Sequence, residues 1–429
     1  MRAMPRGVVQ ILRAFSSPFS SIVYNVRRLP DSPLVSGRAA LKTIGGRSTM
    51  AWRNVPSVLK PGRHFLSGAD AIVEAAVAAR CGYFAGYPIT PTTEVLEGIA
   101  ERFPREGAAF AQMEDEIASV CSCVGASWAG KKAMTVTSGP GFSLMQEGIG
   151  HALMTEAPLV VVDGQRAGPS TGQVMVGAGD VMQARWGMHG GIPTIALAPW
   201  SVQELYDGTI RAFNLAEKFR TPVFVMAEAA TMHLREILDV TPEIRLYERD
   251  KNPGVPPFGC DTPDGVPPML CFGEGEKLLV TASTHDARGF RRTEDPATHR
   301  TLTSRLYNKI MMHVPELAEI EGHYLEDADA AFVAYGFTAR SALSAVEELR
   351  RDGLKVGLLR LKTLWPFPAD DVERLGTQVR NIVVPEMNLG QMVHVVRAVA
   401  KCNVTSCNQM DGTVMYPSVI ADAMRRALS

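Results

Sequence analysis

From Ser67 onward the chain alternates between short apolar runs and longer stretches of helical period. SGADAIVEAAVAARCG reads as a helix opened by a Ser67–Asp70 capping box and stopped at Gly82. A short strand near Phe84 follows. Then comes YPITPTT, whose prolines stiffen the backbone on both sides of Thr90. Thr92 or Thr93 is placed to cap the helix EVLEGIAERF. AAFAQ (108–112) reads as a strand, the helix of Glu116 comes next, AMTVT (133–137) is a strand, SGPG a turn and FSLMQEGIGHALM a helix. PLVVVDG (158–164) is a continuous apolar run of the kind that fills buried parallel strands. PTIALAP and TPVFVM are two more strands. The helix between them opens at Ser201 and Glu204 and carries Val202, Leu205, Tyr206, Ile210 and Phe213 on one face.

Residues 229–275 lose this rhythm, and the proline- and glycine-rich DKNPGVPPFGCDTPDGVPPML predicts a linker or surface excursion. A second alternating unit starts near Lys277. Its predicted strands are KLLVTAS, AAFVAYG (330–336), VGLLRL (356–361) and NIVVPE (381–386). Its predicted helices are ARSALSAVEELRRDG, ADDVERL and QMVHVVRAVA. Strands alternating with helices in both halves predict an α/β fold with a doubly wound parallel sheet.

Composition adds bounds. A chain of 429 residues predicts two to three domains. Its 46% hydrophobic and 21% charged residues are ordinary for a globular protein, and no apolar run is long enough to span a membrane. The net charge of −1 gives no electrostatic case for nucleic acid or membrane as a partner. Residues 1–49 depart from this balance. They carry Arg2, Arg6, Arg13, Arg27, Arg28, Arg38, Lys42 and Arg47 against the single acid Asp31, and they are serine-rich. An organellar transit peptide has this composition. A mis-assigned start, with Met50 as the first residue, is the favoured reading. The cysteines are Cys81, Cys121, Cys123, Cys260, Cys271, Cys402 and Cys407. No C-x-x-C pair occurs among them, so cluster and zinc spacings are absent, and a reducing cytoplasm suits the odd count.

The candidate chemistry concentrates in MEDEIASVCSCVGASWAGKKAMTVTSGPG (113–141). There Glu116 enters a helix of small residues, either as a surface cap or as the start of an active site. The segment Gly125–Lys132 matches G-x-x-x-x-G-K but lacks the hydroxyl that binds magnesium, and a strand follows it where a helix should. Gly130 is better read as a helix stop. TSGPGFS is either an anion-facing turn or a tight strand-to-helix connection. GQRAGPSTG (164–172) follows the strongest strand, at the end where open α/β sheets bind ligands. Arg166 in it either holds a carboxylate or is an exposed loop arginine. His189, in HGG, is either substrate-facing or structural. His285-Asp286 reads as a structural pair, because no nucleophile motif accompanies it.

Taken in order, these motifs resemble the α subunit of 2-oxoacid:ferredoxin oxidoreductases. The residues carrying the resemblance are GYPITPTTE (86–94), the run from Gln112 to Glu147, GQRAGPSTG, GDVMQARWGMHG (179–190) and AFNLAEKFRTPV (212–223). STHDARG (283–289) and VPEMNLGQ (384–391) also match, so the resemblance spans roughly residues 64–425. GDVMQARWG looks most like the 2-oxoglutarate branch, and the 2-oxoisovalerate and pyruvate branches are similar.

The resemblance implies CoA-dependent oxidative decarboxylation of a 2-oxoacid on thiamine diphosphate, with electrons passed to ferredoxin, or the reverse reaction. It implies a basic, disordered extension at 1–63, a pyrimidine-binding domain at 64–235, a linker at 236–275 and a transketolase C-terminal-like domain at 276–429. The cofactor would be shared with a β subunit that holds Mg2+ and an iron–sulfur cluster, with separate γ and ferredoxin-like δ subunits as further candidates. Coenzyme A is the implied second substrate, the site in this chain binds no metal, and the enzyme would be cytoplasmic. Carried over by position, Glu116 matches the carboxylate on the aminopyrimidine ring. There it would favour the imino tautomer, whose nitrogen takes the C2 proton. Pro88, Ile89 and Thr90 match the cofactor-facing loop, and Thr90, Arg166 and His189 match groups facing the substrate.

Three departures lie in the substrate-facing loop: Gln173-Val174-Met175 after GPSTG, no glutamine before Gly179-Asp180, and a second glycine after His189-Gly190. The competing readings are a lipoamide-linked or transketolase-like thiamine enzyme and a non-catalytic scaffold.

Overall fold

The computed structural model describes residues 51–259 and 264–429; most of the basic N-terminal segment and Cys260 lie outside them. The strands, in chain order, are β1 (Trp52–Pro56), β2 (Gly62–Ser67), β3 (Tyr83–Gly86), β4 (Ala109–Gln112), β5 (Ala133–Thr137), β6 (Leu159–Gln165), β7 (Ile195–Leu197) and β8 (Pro222–Glu228). β9 (Arg235–Val240), β10 (Glu243–Tyr247), β11 (Ile320–His323), β12 (Ala330–Tyr335), β13 (Val356–Leu361), β14 (Thr363–Trp365), β15 (Asn381–Glu386) and β16 (Asn403–Asn408) complete them.

Two sheets carry the fold. The first has seven strands in the order β14-β7-β8-β6-β5-β3-β4, parallel except for β14. The second has five strands in the order β11-β13-β12-β15-β16, parallel except for β11. β5, β6 and β8 are buried along their whole length, as expected for strands covered by helices on both faces. The chain steps from β3 out to the edge at β4, then returns to the other side of β3 to lay down β5. Such a reversal opens a crevice at the carboxyl ends of the strands.

Three parts of the chain differ from the sequence-based expectation. The extension expected through residue 63 contains β1 and the start of β2. These pair antiparallel with β10 and β9, so part of the expected linker is ordered ribbon. The proline-rich stretch after β10 is a strap against the first sheet's helices. Arg249 forms an ion pair with Glu217, Phe272 N–H donates to Trp128 O, and Arg220 donates to the carbonyls of Pro257, Pro267 and Pro268. Prolines suit such a strap because their carbonyls remain free to accept while their missing N–H groups need no partner.

KLLVTAS is not a strand, and the helix Pro296–Met311 belongs with the first sheet. Its Arg305 and Lys309 close on Glu156, which is fully buried at the turn before β6. The short apolar run in KLLVTAS imitates a strand, but no neighbouring strand offers it an edge among the described residues. The strand β14 shows the same sharing in the other direction, since it comes from the second half and pairs with β7.

Candidate active site

The loops after β3, β4, β5 and β6 share one edge of the first sheet, and each carries one of the conspicuous sequence motifs. The loop after β3 is YPITPT, that after β4 leads to Glu116, that after β5 is SGPG, and that after β6 is GQRAGPSTG.

Glu116 is the first residue of the helix Glu116–Trp128, whose N-cap is Asp115. The Asp115 carboxylate accepts from Ala118 N–H (2.7 Å), so the neighbouring acid does the capping and Glu116 is left for other work. Glu114 is exposed, whereas Glu116 is only 4% exposed. Burial raises the Glu116 carboxyl above its ordinary range, with its own backbone N–H opposing and the Asp115 charge adding to the rise. A small residue makes this burial possible. A Cβ on Gly141 would overlap Glu116 Oε1 and Thr137 Oγ1. SGPG is therefore a strand-to-helix connection cut away to seat a carboxyl, and the helix it opens, Gly139–Leu144, has only six residues.

Thr90 and Arg166 are joined directly. Arg166 is 5% exposed; its Nη1 donates to Thr90 O (2.7 Å) and its Nη2 to Thr171 O (3.1 Å). Its Nε is buried without an acceptor. The arginine thus ties the loop after β3 to the loop after β6 and leaves one buried N–H unused. Gly164 lets the loops approach, because a Cβ there would strike Thr92 Cγ2. The Thr90–Pro91 bond is cis. Thr92 caps its own turn by donating to Ile89 O (2.9 Å) and makes no side-chain cap to the following helix. Pro88 and Thr90 are exposed in this loop, and Ile89 is half-buried. His189 is exposed as well, and among the described residues no hydrogen bond ties it to Thr90, Glu116 or Arg166.

Sequence reasoning gave no role to two groups. Asp163 is a fully buried acid inside β6. A charged residue within the apolar run PLVVVDG was the available signal. The second group is VPEMNLGQ, which clamps the loop that bears Asp180. Asn388 Nδ2 donates to Ala178 O (2.7 Å) and Gln391 Nε2 to Gly179 O (2.6 Å), while Gln391 Oε1 accepts from Met182 N–H (3.1 Å). Trp365 Nε1 donates to Val181 O (2.7 Å). Glu386 holds the clamp itself, accepting from Tyr335 OH and from the backbone of Met392 and Val393. The second sheet therefore builds one wall of the site, which could not be read from segments taken one at a time.

Two sequence motifs fall away. Gly130 stands at φ +91°, just past the helix C-cap at Ala129, as a helix stop and not a phosphate cradle. His285 is buried against Phe258 and bonds Ser283 O through Nδ1, while Asp286 accepts from the backbone of Arg288 and Phe290. The two residues are structural but are not paired with each other.

Residues 74–304 match the sequence profile described as pyruvate flavodoxin/ferredoxin oxidoreductase, thiamine diphosphate-binding. The chain belongs to this family. Residues 328–420 match a second profile of the family, pyruvate:ferredoxin oxidoreductase core domain II. The 2-oxoglutarate synthase subunit KorA of Methanocaldococcus jannaschii is 50% identical over 341 residues, covering 79% of this chain and 92% of that one. The KorA subunit of Methanothermobacter thermautotrophicus is 46% identical over 343 residues, covering 79% and 91%. A solved 2-oxoglutarate:ferredoxin oxidoreductase from Magnetococcus marinus, with 2-oxoglutarate, coenzyme A and succinyl-CoA bound, superposes with a TM-score of 0.82 at 32% identity. That match covers 86% of this chain and 66% of the other. Among the described residues no helix is long and apolar enough to cross a membrane.

Proposed function

We propose that this chain is the α subunit of a thiamine-diphosphate-dependent 2-oxoglutarate:ferredoxin oxidoreductase, forming succinyl-CoA from 2-oxoglutarate and CoA or running the reverse reaction. The observation that carries the reading is the buried Glu116 carboxyl, seated against Gly141 where the strand order reverses. The KorA relatives support 2-oxoglutarate as the oxoacid.

The residues fit the cofactor's pyrimidine end. A buried acid with a raised proton affinity suits a hydrogen bond to a ring nitrogen, and Pro88, Ile89 and Thr90 would line the face beside it. When bound, thiamine diphosphate supplies the electron sink for decarboxylation. The protein's share is positional and protonic. Glu116 holds or releases a proton at its carboxyl, a role typically worth ~10²–10⁴-fold. Arg166, in the loop after β6, would exchange a carbonyl partner for the oxoacid carboxylate and use its free Nε–H. The Thr90 hydroxyl would face the same ligand, with His189 at its far end.

The reading assigns the diphosphate, Mg2+ and an iron–sulfur cluster to a β subunit, with γ and δ subunits and ferredoxin completing the electron route. Among the described residues no group of three His, Cys, Asp or Glu side chains is arranged to hold a metal. The described cysteines are all free, which suits a cytoplasmic enzyme. The test is to purify the chain with its β partner and supply thiamine diphosphate, CoA and a viologen dye. Dye reduction with 2-oxoglutarate and formation of succinyl-CoA are expected. Preference for pyruvate or 2-oxoisovalerate would replace the substrate assignment, and no reduction with any oxoacid would overturn the enzyme assignment.

A further inference from the structure

Arg166 stands at the base of a hairpin whose base and tip are both held by the C-terminal half of the chain. Arg166 bridges Val176 antiparallel, Ala167 N–H donates to Met175 O (2.9 Å), and Gln173 N–H donates to Ala167 O (3.0 Å). Gly177 lets the two legs close, because a Cβ there would overlap the Ala167 backbone. Residues 169–175 are all exposed, so the hairpin has no core of its own. Within it Arg166 donates to Thr171 O (3.1 Å), and across the crevice to Thr90 O (2.7 Å). The guanidinium therefore moves with the hairpin.

At the base, the return leg runs directly into residues 178–182. Ala178 donates its N–H to Met387 O (3.0 Å) and accepts from Asn388 Nδ2 (2.7 Å). Gln391 donates to Gly179 O (2.6 Å) and accepts from Met182 N–H (3.1 Å), and Trp365 Nε1 donates to Val181 O (2.7 Å). At the tip, the Gln173 side-chain amide occupies the space in which a Cβ on Gly412 would lie. Gly412 belongs to the loop after β16, which is stiff in its own right. There Asp411 accepts from Thr413 N–H (2.9 Å) and Oγ1 (2.7 Å), and Gln409 Nε2 donates to Thr413 Oγ1 (2.8 Å). An arginine on an unanchored loop loses conformational freedom when its ligand binds. Anchoring the loop beforehand removes that cost.

We propose that Gln391 and Gln173 are positioning residues, through which the C-terminal half sets the place of the Arg166 guanidinium for the incoming oxoacid carboxylate. Gln391 acts at the base of the hairpin and Gln173 at its tip. The proposal rests on the oxidoreductase reading for the identity of that carboxylate. The two grips on the hairpin stand on the hydrogen bonds and the Gly412 contact.

The test uses the protein assembled with its β partner, native and as Gln391→Ala and Gln173→Ala. Gln173 is exposed, and the side-chain bonds of Gln391 run to the clamped loop, so both variants should melt cooperatively. Were Gln391→Ala not to fold, Gln173→Ala carries the same readouts. Hydrogen–deuterium exchange should quicken over residues 166–182 in Gln391→Ala and over 166–176 in Gln173→Ala, and stay unchanged elsewhere. In turnover, Gln391→Ala should raise the oxoacid KM roughly fivefold to tenfold, the scale of one or two neutral hydrogen bonds, with a much smaller change in kcat. Gln173→Ala should shift KM in the same direction by less. A lowered kcat at constant KM is the mark of a merely structural role and would overturn the proposal. Unchanged exchange over the hairpin in both variants would overturn it as well. No turnover by the native protein would instead count against the oxidoreductase reading, and the exchange comparison would still decide whether the hairpin is gripped.

Discussion

The Glu116 carboxyl occupies the space in which a side chain at position 141 would lie. The two residues come from different loops, after β4 and after β5, and neither position is explained without the other. Gly141 has no left-handed φ to require glycine, so its constraint is the volume taken by Glu116. Gly141→Ala should therefore fold, displace the carboxyl and lower kcat/KM by ~10²-fold or more, the scale of a lost positioned acid or base. Steady-state kinetics beside a thermal melt check this. Full activity in Gly141→Ala would show that the seat is dispensable.

Burying Glu116 should also have a measurable stability consequence. A carboxyl whose proton affinity rises on folding destabilises the fold at pH values above its folded-state titration. That penalty disappears as the pH falls below the ordinary carboxylate range. Glu116→Gln does not titrate. It should melt at a higher temperature than the native chain at neutral pH, and the gap should close on acidification. A destabilised Gln variant at neutral pH would contradict the assigned burial.

Glu228 provides a second pH dependence, at the joint between the two sheets. It ends β8, is buried, and accepts from Phe337 N–H (3.0 Å), pressed against Gly336 at φ +52°. Burial pushes it up to about 8, opposed by the Phe337 bond. The folded chain then binds more protons than the unfolded chain from the ordinary glutamate range up to about 8. Its contribution makes stability fall with rising pH across that window and level off above it. Glu228→Gln keeps an acceptor for Phe337 and removes the titration, so its melting curve against pH should be flatter. Parallel curves for native and variant would refute this.

Most strands were legible because buried parallel strands are uninterrupted apolar runs: PLVVVDG, AAFVAYG and VGLLRL all became strands. The capping box at Ser67 and Asp70 formed as written. Glu116, Thr90 and Arg166 stood out through their motifs, and the fold places all three at one edge of the first sheet. What stayed hidden depends on long-range partners. β1 and β2 need β10 and β9, nearly two hundred residues away, to become strands at all. Asn388 has meaning only beside Ala178, and Gln391 only beside Gly179. FSLMQEGIGHALM breaks at Met145 into two helices, a local bend its periodicity does not announce.

The network around Glu156 ties the Pro296–Met311 helix to the turn before β6. Glu156 takes bonds from Arg305 and Lys309, and Lys309 is 2% exposed. Glu156→Gln leaves buried cations without their carboxylate and should destabilise the chain by about 3–5 kcal/mol. Chemical denaturation measures it. A loss below about 1 kcal/mol, the level of an exposed ion pair, would show that the Pro296–Met311 helix is not anchored there.

In the proposed function Glu116 governs a proton on the cofactor's reactive carbon. The most direct measurement is the rate at which the C2 proton of thiamine diphosphate bound to the assembled enzyme exchanges with deuterated solvent, in the native protein and in Glu116→Gln. Slowing of ~10²–10⁴-fold is expected in the variant with the cofactor still bound. Equal exchange rates in two proteins that both hold the cofactor would contradict it.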